Sequence, residues 1–243
     1  MNYFIVFLIL IALSVSSLFV FGPRRFRKRA GLILEYTRQK GYRLANPSIA
    51  EIASTASWRE ALTNSSLRSF IKGSEGIADI EGFEQGTDDP FAFTCSLRSK
   101  EVMIFDFTVL SKRADDKGSS LRYKVAKIKN EGLPRFSLGR HSVVHAVETV
   151  VDKILGKPKS SIDVDPGRFP EFAKHYWLKG SDSGGVFAFL SPQKLQFLEN
   201  TRLKGIIATN SNYLVYFESG GLLRENDFDS FIATAETIVA NLL

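Results

Sequence analysis

The chain has 243 residues, with 32 Lys and Arg against 26 Asp and Glu, a net charge of +6 and a sequence pI near 9.4. A hydrophobic content of 44% with 24% charged residues excludes wholesale disorder. The one cysteine, Cys95, excludes a disulfide framework and any cysteine-rich zinc module.

The charge excess is local. Arg24, Arg25, Arg27, Lys28 and Arg29 supply five positive charges before the first acid, Glu35, and setting them aside leaves 27 basic against 26 acidic residues. Ahead of them, nineteen residues from Tyr3 to Phe21 carry no charge. At ~1.5 Å per residue a helix there spans roughly 28 Å, close to the ~30 Å hydrocarbon core of a bilayer. Gly22-Pro23 would end it, because proline disfavours helix in the residue before it. The run lacks the basic leader and the small-residue cleavage site of a signal peptide. It therefore reads as an uncleaved single-pass transmembrane anchor over 1–23 in the cell (inner) membrane. The basic segment 24–29 would hold the following domain in the cytoplasm, with the N-terminus out. Arg24, Arg25, Arg27, Lys28 and Arg29 are then membrane-interface residues. They either fix topology alone or also touch anionic lipid head groups.

Residues 30–243 are expected to form a cytoplasmic α+β domain, with 156–161 as a candidate sub-boundary. Ala30–Lys40 reads as a helix stopped by Gly41, and Asn46-Pro47 as the cap of a second helix. Phe91, Phe93, Cys95 and Leu97 alternate, as do Met103, Phe105, Phe107 and Val109, which predicts two strands joined through Arg98-Ser99-Lys100-Glu101. Leu121–Lys129 and Leu133–Leu138 follow as strands. Ser142–Leu155 has a valine-rich helical stripe that packing on the sheet would have to hold. Beyond the Lys157–Ser161 loop come Phe169–Leu190, a helix capped at Ser191-Pro192 and a hairpin Ile206–Phe217 turning at Asn210-Ser211-Asn212. The last helix, Asp227–Leu243, shows Phe228, Phe231, Ile232, Ala235, Val239 and Leu242 on one face. Grouped strands with flanking helices point to a mostly antiparallel sheet covered by amphipathic helices. Ser142–Leu155 and Ser230–Leu243 match at five of fourteen aligned positions, so two related halves are one reading and two similar sheet-covering helices the other.

Four segments resemble chemistry. Asp182-Ser183-Gly184-Gly185 matches the nucleophile segment of trypsin-like serine proteases over four residues, with His141, His145 or His175 as the base. The family's histidine motif is absent, and a glycine-rich turn explains the same residues. His141, His145, Glu148 and Asp152 lie along one helical stripe that could bind a metal or simply face solvent. Arg113, Lys117, Arg122, Lys124, Lys127 and Lys129 form a basic run, but Tyr123 is its one aromatic, which argues against nucleic acid and for an edge or solvated strand. Cys95, alternating with phenylalanines, reads as a core thiol.

From Leu133-Pro134 to the C-terminus the chain resembles a group of bacterial α+β proteins of unknown function. The likeness lies in Phe169, Phe172, Tyr176, Leu178, Asp182, Leu190, Pro192, Leu195 and Leu198, the strand Tyr213–Phe217 and the closing helix. It implies an α+β domain and no activity, cofactor or site residue. Gly184-Gly185 depart from the helix formers usual in the group, which leaves Ser183–Leu190 open between helix and strand. Together these readings give a membrane-tethered interaction or sensing module with no cofactor. Its expected partners are the bilayer, anionic lipids as a candidate and an unidentified protein. The alternative is a serine hydrolase using Ser183.

Overall fold

The computed structural model describes residues 28–45, 86–88, 92–110, 120–141, 160–209, 211–219 and 225–243. Helix α1 runs from residue 28 to residue 40 and ends at Gly41, whose φ of +69° suits a residue without Cβ. It buries Ala30, Ile33, Tyr36 and Thr37, the spacing of one helical face.

Strands β1 (Arg43–Leu44), β2 (Gly86–Asp88), β3 (Phe93–Leu97), β4 (Lys100–Leu110), β5 (Ser120–Lys129) and β6 (Phe136–Arg140) follow in the first part of the chain. Then come β7 (Ser160–Ser161), helix α2 (Pro170–His175), β8 (Tyr176–Gly180), α3 (Ser183–Phe189), α4 (Pro192–Thr201), β9 (Ile206–Thr209), β10 (Tyr213–Ser219) and α5 (Glu225–Leu242). The strands form one ten-stranded sheet in the order β1-β3-β4-β5-β10-β9-β6-β8-β7, with β2 pairing the far end of β4. Every described pairing is antiparallel.

The β3–β4 connection is tighter than four residues. Arg98 and Ser99 alone make the turn, both at positive φ (50° and 64°), while Lys100 and Glu101 already pair with Leu97 and Ser96. Positive φ at both central residues is what a type I′ turn needs to match strand twist.

One sheet face carries Phe93, Val102, Ile104, Ala126, Ile128, Leu138, Leu178, Ile207, Leu214 and Tyr216, all buried in a core shared with the five helices. Helix α5 adds Phe228, Phe231, Ile232, Ala235, Ile238, Val239 and Leu242. Tyr36 stacks on Phe228 at 4.7 Å and Tyr42 on Phe93 at 5.8 Å, so α1, β3 and α5 meet in an aromatic cluster. The other face is buried too, at Phe105, Tyr123, Val125, Val215, Phe217, Ile206 and Ala208.

Two expectations are overturned. Among the described residues no helix is long and apolar enough to cross a membrane. The longest, α5, carries Glu225, Asp227, Asp229 and Glu236 and spends its apolar side on the sheet. Residues 3–21, on which the anchor was argued, lie outside the described residues. The described residues therefore form an antiparallel sheet with helices and no transmembrane helix, and they give the expected single-pass, N-out placement in the inner membrane no support. Second, the basic strand is neither an edge nor a solvated face. β5 lies between β4 and β10 in mid-sheet, and its Lys124 and Lys127 project from opposite faces. The helices expected at Asn46-Pro47 and Ser142–Leu155 lie outside the described residues.

Candidate functional site

The chain between β7 and α4 builds a cleft from local rules. After Ser160 and Ser161 pair with Gly180 and Lys179, the Ile162 amide donates to the Leu178 carbonyl at 2.9 Å. Burial then alternates: Ile162 and Val164 turn inward while Asp163 and Asp165 face solvent. Asp165 closes the turn that follows. Its Oδ1 accepts from the Gly167 amide at 2.8 Å, and its carbonyl accepts from Arg168 and Phe169 at 3.1 and 2.9 Å. Pro170 then opens α2, whose N-cap Phe169 has no side-chain oxygen. Glu199 of α4 supplies one, accepting from the Phe172 amide at 2.9 Å, which locks α2 to α4.

Across the cleft, Asp182 caps α3, its two carboxylate oxygens accepting from Gly184 and Gly185 amides at 3.0 and 3.1 Å. A Cβ on Gly185 would lie 2.5 Å from Asp182 Oδ2, so the second glycine is needed for the cap to close. This settles Ser183–Phe189 as helix. Ser191 precedes α4 without a side-chain cap bond, and Pro192 takes the first helical turn. Behind the cleft, the Lys194 ammonium lies 3.9 Å from the Phe189 ring centroid and donates to the Leu242 carbonyl at 2.7 Å, joining α4 to the end of α5. Burial holds the Lys194 pKa below its ordinary value.

Between the 163–169 segment and the α3–α4 corner lies a cleft of about 330 Å³, the low end of small-ligand pockets. Val164, Phe169, Phe187, Leu190, Pro192 and Leu195 give it apolar walls, and Asp163, Asp165 and Arg168 line it with charge. Phe187 stands 38% exposed, the one large hydrophobic side chain so exposed among the described residues. The Arg168 guanidinium lies 5.6 Å from the Phe169 ring centroid. Sequence reasoning passed over this cleft because Val-Phe-Ala-Phe-Leu at 186–190 has the composition of a core segment.

The residues singled out from sequence do not gather there. Arg24, Arg25 and Arg27 lie outside the described residues, and Lys28 is exposed at the start of α1. Arg29 instead turns into the fold and pairs with Asp106 of β4, whose side chain is 1% exposed. That pair begins a row of alternating charge across the sheet. Asp106 is register partner of Lys124, Lys124 is partner of Glu218, and the last two form an ion pair at 3.1 Å. The Tyr216 hydroxyl donates to Glu218 at 2.6 Å, and burial, reinforced by the Glu218 charge, pushes that phenol far above its ordinary pKa. Each charge in the row meets its opposite, so the row ties α1 to the sheet.

Ser183 sits just beyond the Gly180 end of β8, whereas His175 precedes Tyr176 at its other end. His141 follows Arg140, which pairs with Tyr176, so it shares the His175 end. Five residues of strand separate the two ends by roughly 16 Å, far beyond hydrogen-bond reach, and His145 lies outside the described residues. His175 is held by Glu171 at 3.1 Å, one helical turn away. Of the proposed metal stripe, His141 alone is described, and among the described residues no group of three or more His, Cys, Asp or Glu could hold a metal. Of the basic run, Lys124 serves the row just described and Lys127 lies 4.0 Å from the Tyr213 ring centroid. Cys95 is buried, and burial pushes its thiol up to about 11.

No protein family matches the chain, and no curated protein matches it. The crystal structure of the mycobacterial trehalose monomycolate transport factor A, TtfA, is similar at a TM-score of 0.45 and 9% identity, covering 91% of this chain and 94% of that one. A likeness so slight carries no argument about either fold or role.

Proposed function

We propose that the chain works by recognition, as an interaction module that seats a partner in the cleft between the 163–169 segment and the α3–α4 corner. The observation that carries this reading is Phe187. An aromatic ring left 38% exposed on the wall of a concave, apolar-lined cleft offers contact surface to a partner. Covering it would return on the order of 1 kcal/mol, and aromatic anchors of this kind dominate interface energetics. The cleft is also pre-formed. Asp182 caps one wall, Asp165 closes the turn of the other, and Glu199 fixes α2 against α4, so little ordering is left to binding.

The test is photo-crosslinking with the full chain in its native cells. A photoreactive residue at Gln193, exposed beside Pro192, should give a discrete adduct that Phe187→Ser abolishes. The same group at Thr237, exposed on α5, should give none. Adducts that survive Phe187→Ser, or that form equally from both positions, would sink the proposal.

A further inference from the structure

We infer that the partner seated in this cleft is a short peptide segment carrying basic residues at alternate positions around an aliphatic anchor. The inference rests on the cleft being the recognition site and adds the chemistry of what it takes.

Two features select that chemistry. Phe187 and Pro192 offer apolar contact and no charge along the α3–α4 side, with Leu190 and Leu195 buried beneath them as its floor. The 163–165 edge offers two exposed carboxylates at alternating positions of a segment that continues from sheet strand β7. Alternate residues of an extended segment are spaced ~7 Å apart, so Asp163 and Asp165 match cations at alternate positions of an extended peptide. Such a peptide turns its intervening side chains the other way, here toward the floor. Arg168, the one cation lining the cleft among the described residues, lies against Phe169 on the turn side. A surface of anionic lipid would set its phosphates against both carboxylates, which like-charge repulsion opposes.

The probe is the full chain with Gln193→Cys carrying an environment-sensitive fluorophore. Cys95 is buried and should stay unlabelled. Three end-blocked hexapeptides are titrated, alternating Lys-Leu, Ser-Leu and Glu-Leu, together with phosphatidylglycerol vesicles. The Lys-Leu peptide should shift the emission saturably and bind roughly fivefold tighter than Ser-Leu at low salt, the gain expected of two exposed ion pairs. The gap should close at 1 M salt, and Asp163→Asn should narrow it at low salt with no change in melting temperature. Glu-Leu should bind weakest. Equal binding of Ser-Leu and Lys-Leu would overturn the inference and leave the cleft's role standing. An emission shift from the vesicles in place of the peptides would overturn the inference as well. Silence from all three peptides, with no effect of Phe187→Ser on any ligand, would overturn both.

Discussion

Replacing Asp106 by Asn tests how α1 is held to the sheet. The substitution keeps shape and removes charge, leaving Arg29 inside the fold without its carboxylate. Breaking a buried ion pair from one side costs about 3–5 kcal/mol. Asp106 is 1% exposed but Arg29 keeps 15%, so water screens one end and the expected loss is about 3 kcal/mol. Lys124 opposite is held by Glu218 and does not need Asp106 to stay paired. With a urea m-value of about 3 kcal/mol/M for a chain of this size, the midpoint followed by tryptophan fluorescence should fall by about 1 M. The double variant Arg29→Met, Asp106→Leu removes both charges and should recover part of the loss, because the pair is removed whole and not broken from one side. A midpoint for Asp106→Asn within about 0.2 M of the parent, against the ~1 M shift expected, would refute the reasoning.

Three further outcomes follow from local geometry. A Cβ at Gly205 would collide with the Phe217 carbonyl oxygen and lie 2.6 Å from Tyr216 Cε2. Gly205→Ala should therefore cost about 3 kcal/mol and lower Tm by roughly 6–12 °C in calorimetry. Ser99, exposed at φ 64° in the β3–β4 turn, pays a left-handed penalty that glycine escapes. Ser99→Gly should stabilise by about 0.5–1 kcal/mol in urea titration, after the entropy glycine adds to the unfolded chain. Hydrogen bonds from Lys40 and then Tyr36 hold the Asp229 carboxyl below the usual aspartate range. A depressed folded pKa contributes stability that is present above the ordinary aspartate pKa and lost as pH falls through the folded value. Asp229→Asn should accordingly flatten the acid limb of the urea midpoint against pH, and an unchanged slope would refute that linkage.

Among the described residues, three elements follow the periodicity of the sequence. Ala30–Lys40 closing at Gly41, the hairpin through Asn210-Ser211-Asn212 and the apolar face of α5 were all legible, because each depends on residues a few positions apart. The sheet order was not. β9 reads Ile-Ile-Ala-Thr with all four residues buried, so no alternation marks its faces, and nothing local says that β6 sits between β9 and β8. The basic residues of β5 misled for a related reason. A lysine on a strand suggests solvent unless its partner is known, and Glu218 lies 94 positions from Lys124. Arg29 was likewise one of five similar residues until Asp106 distinguished it. The cleft stayed hidden because exposure of Phe187 is a property of the assembled α3–α4 corner, whereas Phe189, two residues on, packs against the core.

The place of β10 in the sheet also sets a timetable for synthesis. β5 can pair with β4 as soon as both emerge, yet its other edge waits for β10, where Tyr123 meets Ser219. At about 5–20 residues per second the ribosome needs on the order of 5–20 s to supply the intervening chain. Through that interval a ten-residue strand carrying Leu121, Tyr123, Val125 and Ile128 presents open amides and carbonyls to any passing strand. Lys124, Lys127 and Lys129 on the same strand then repel a second copy of it, so charges that end up paired or buried also guard the nascent edge.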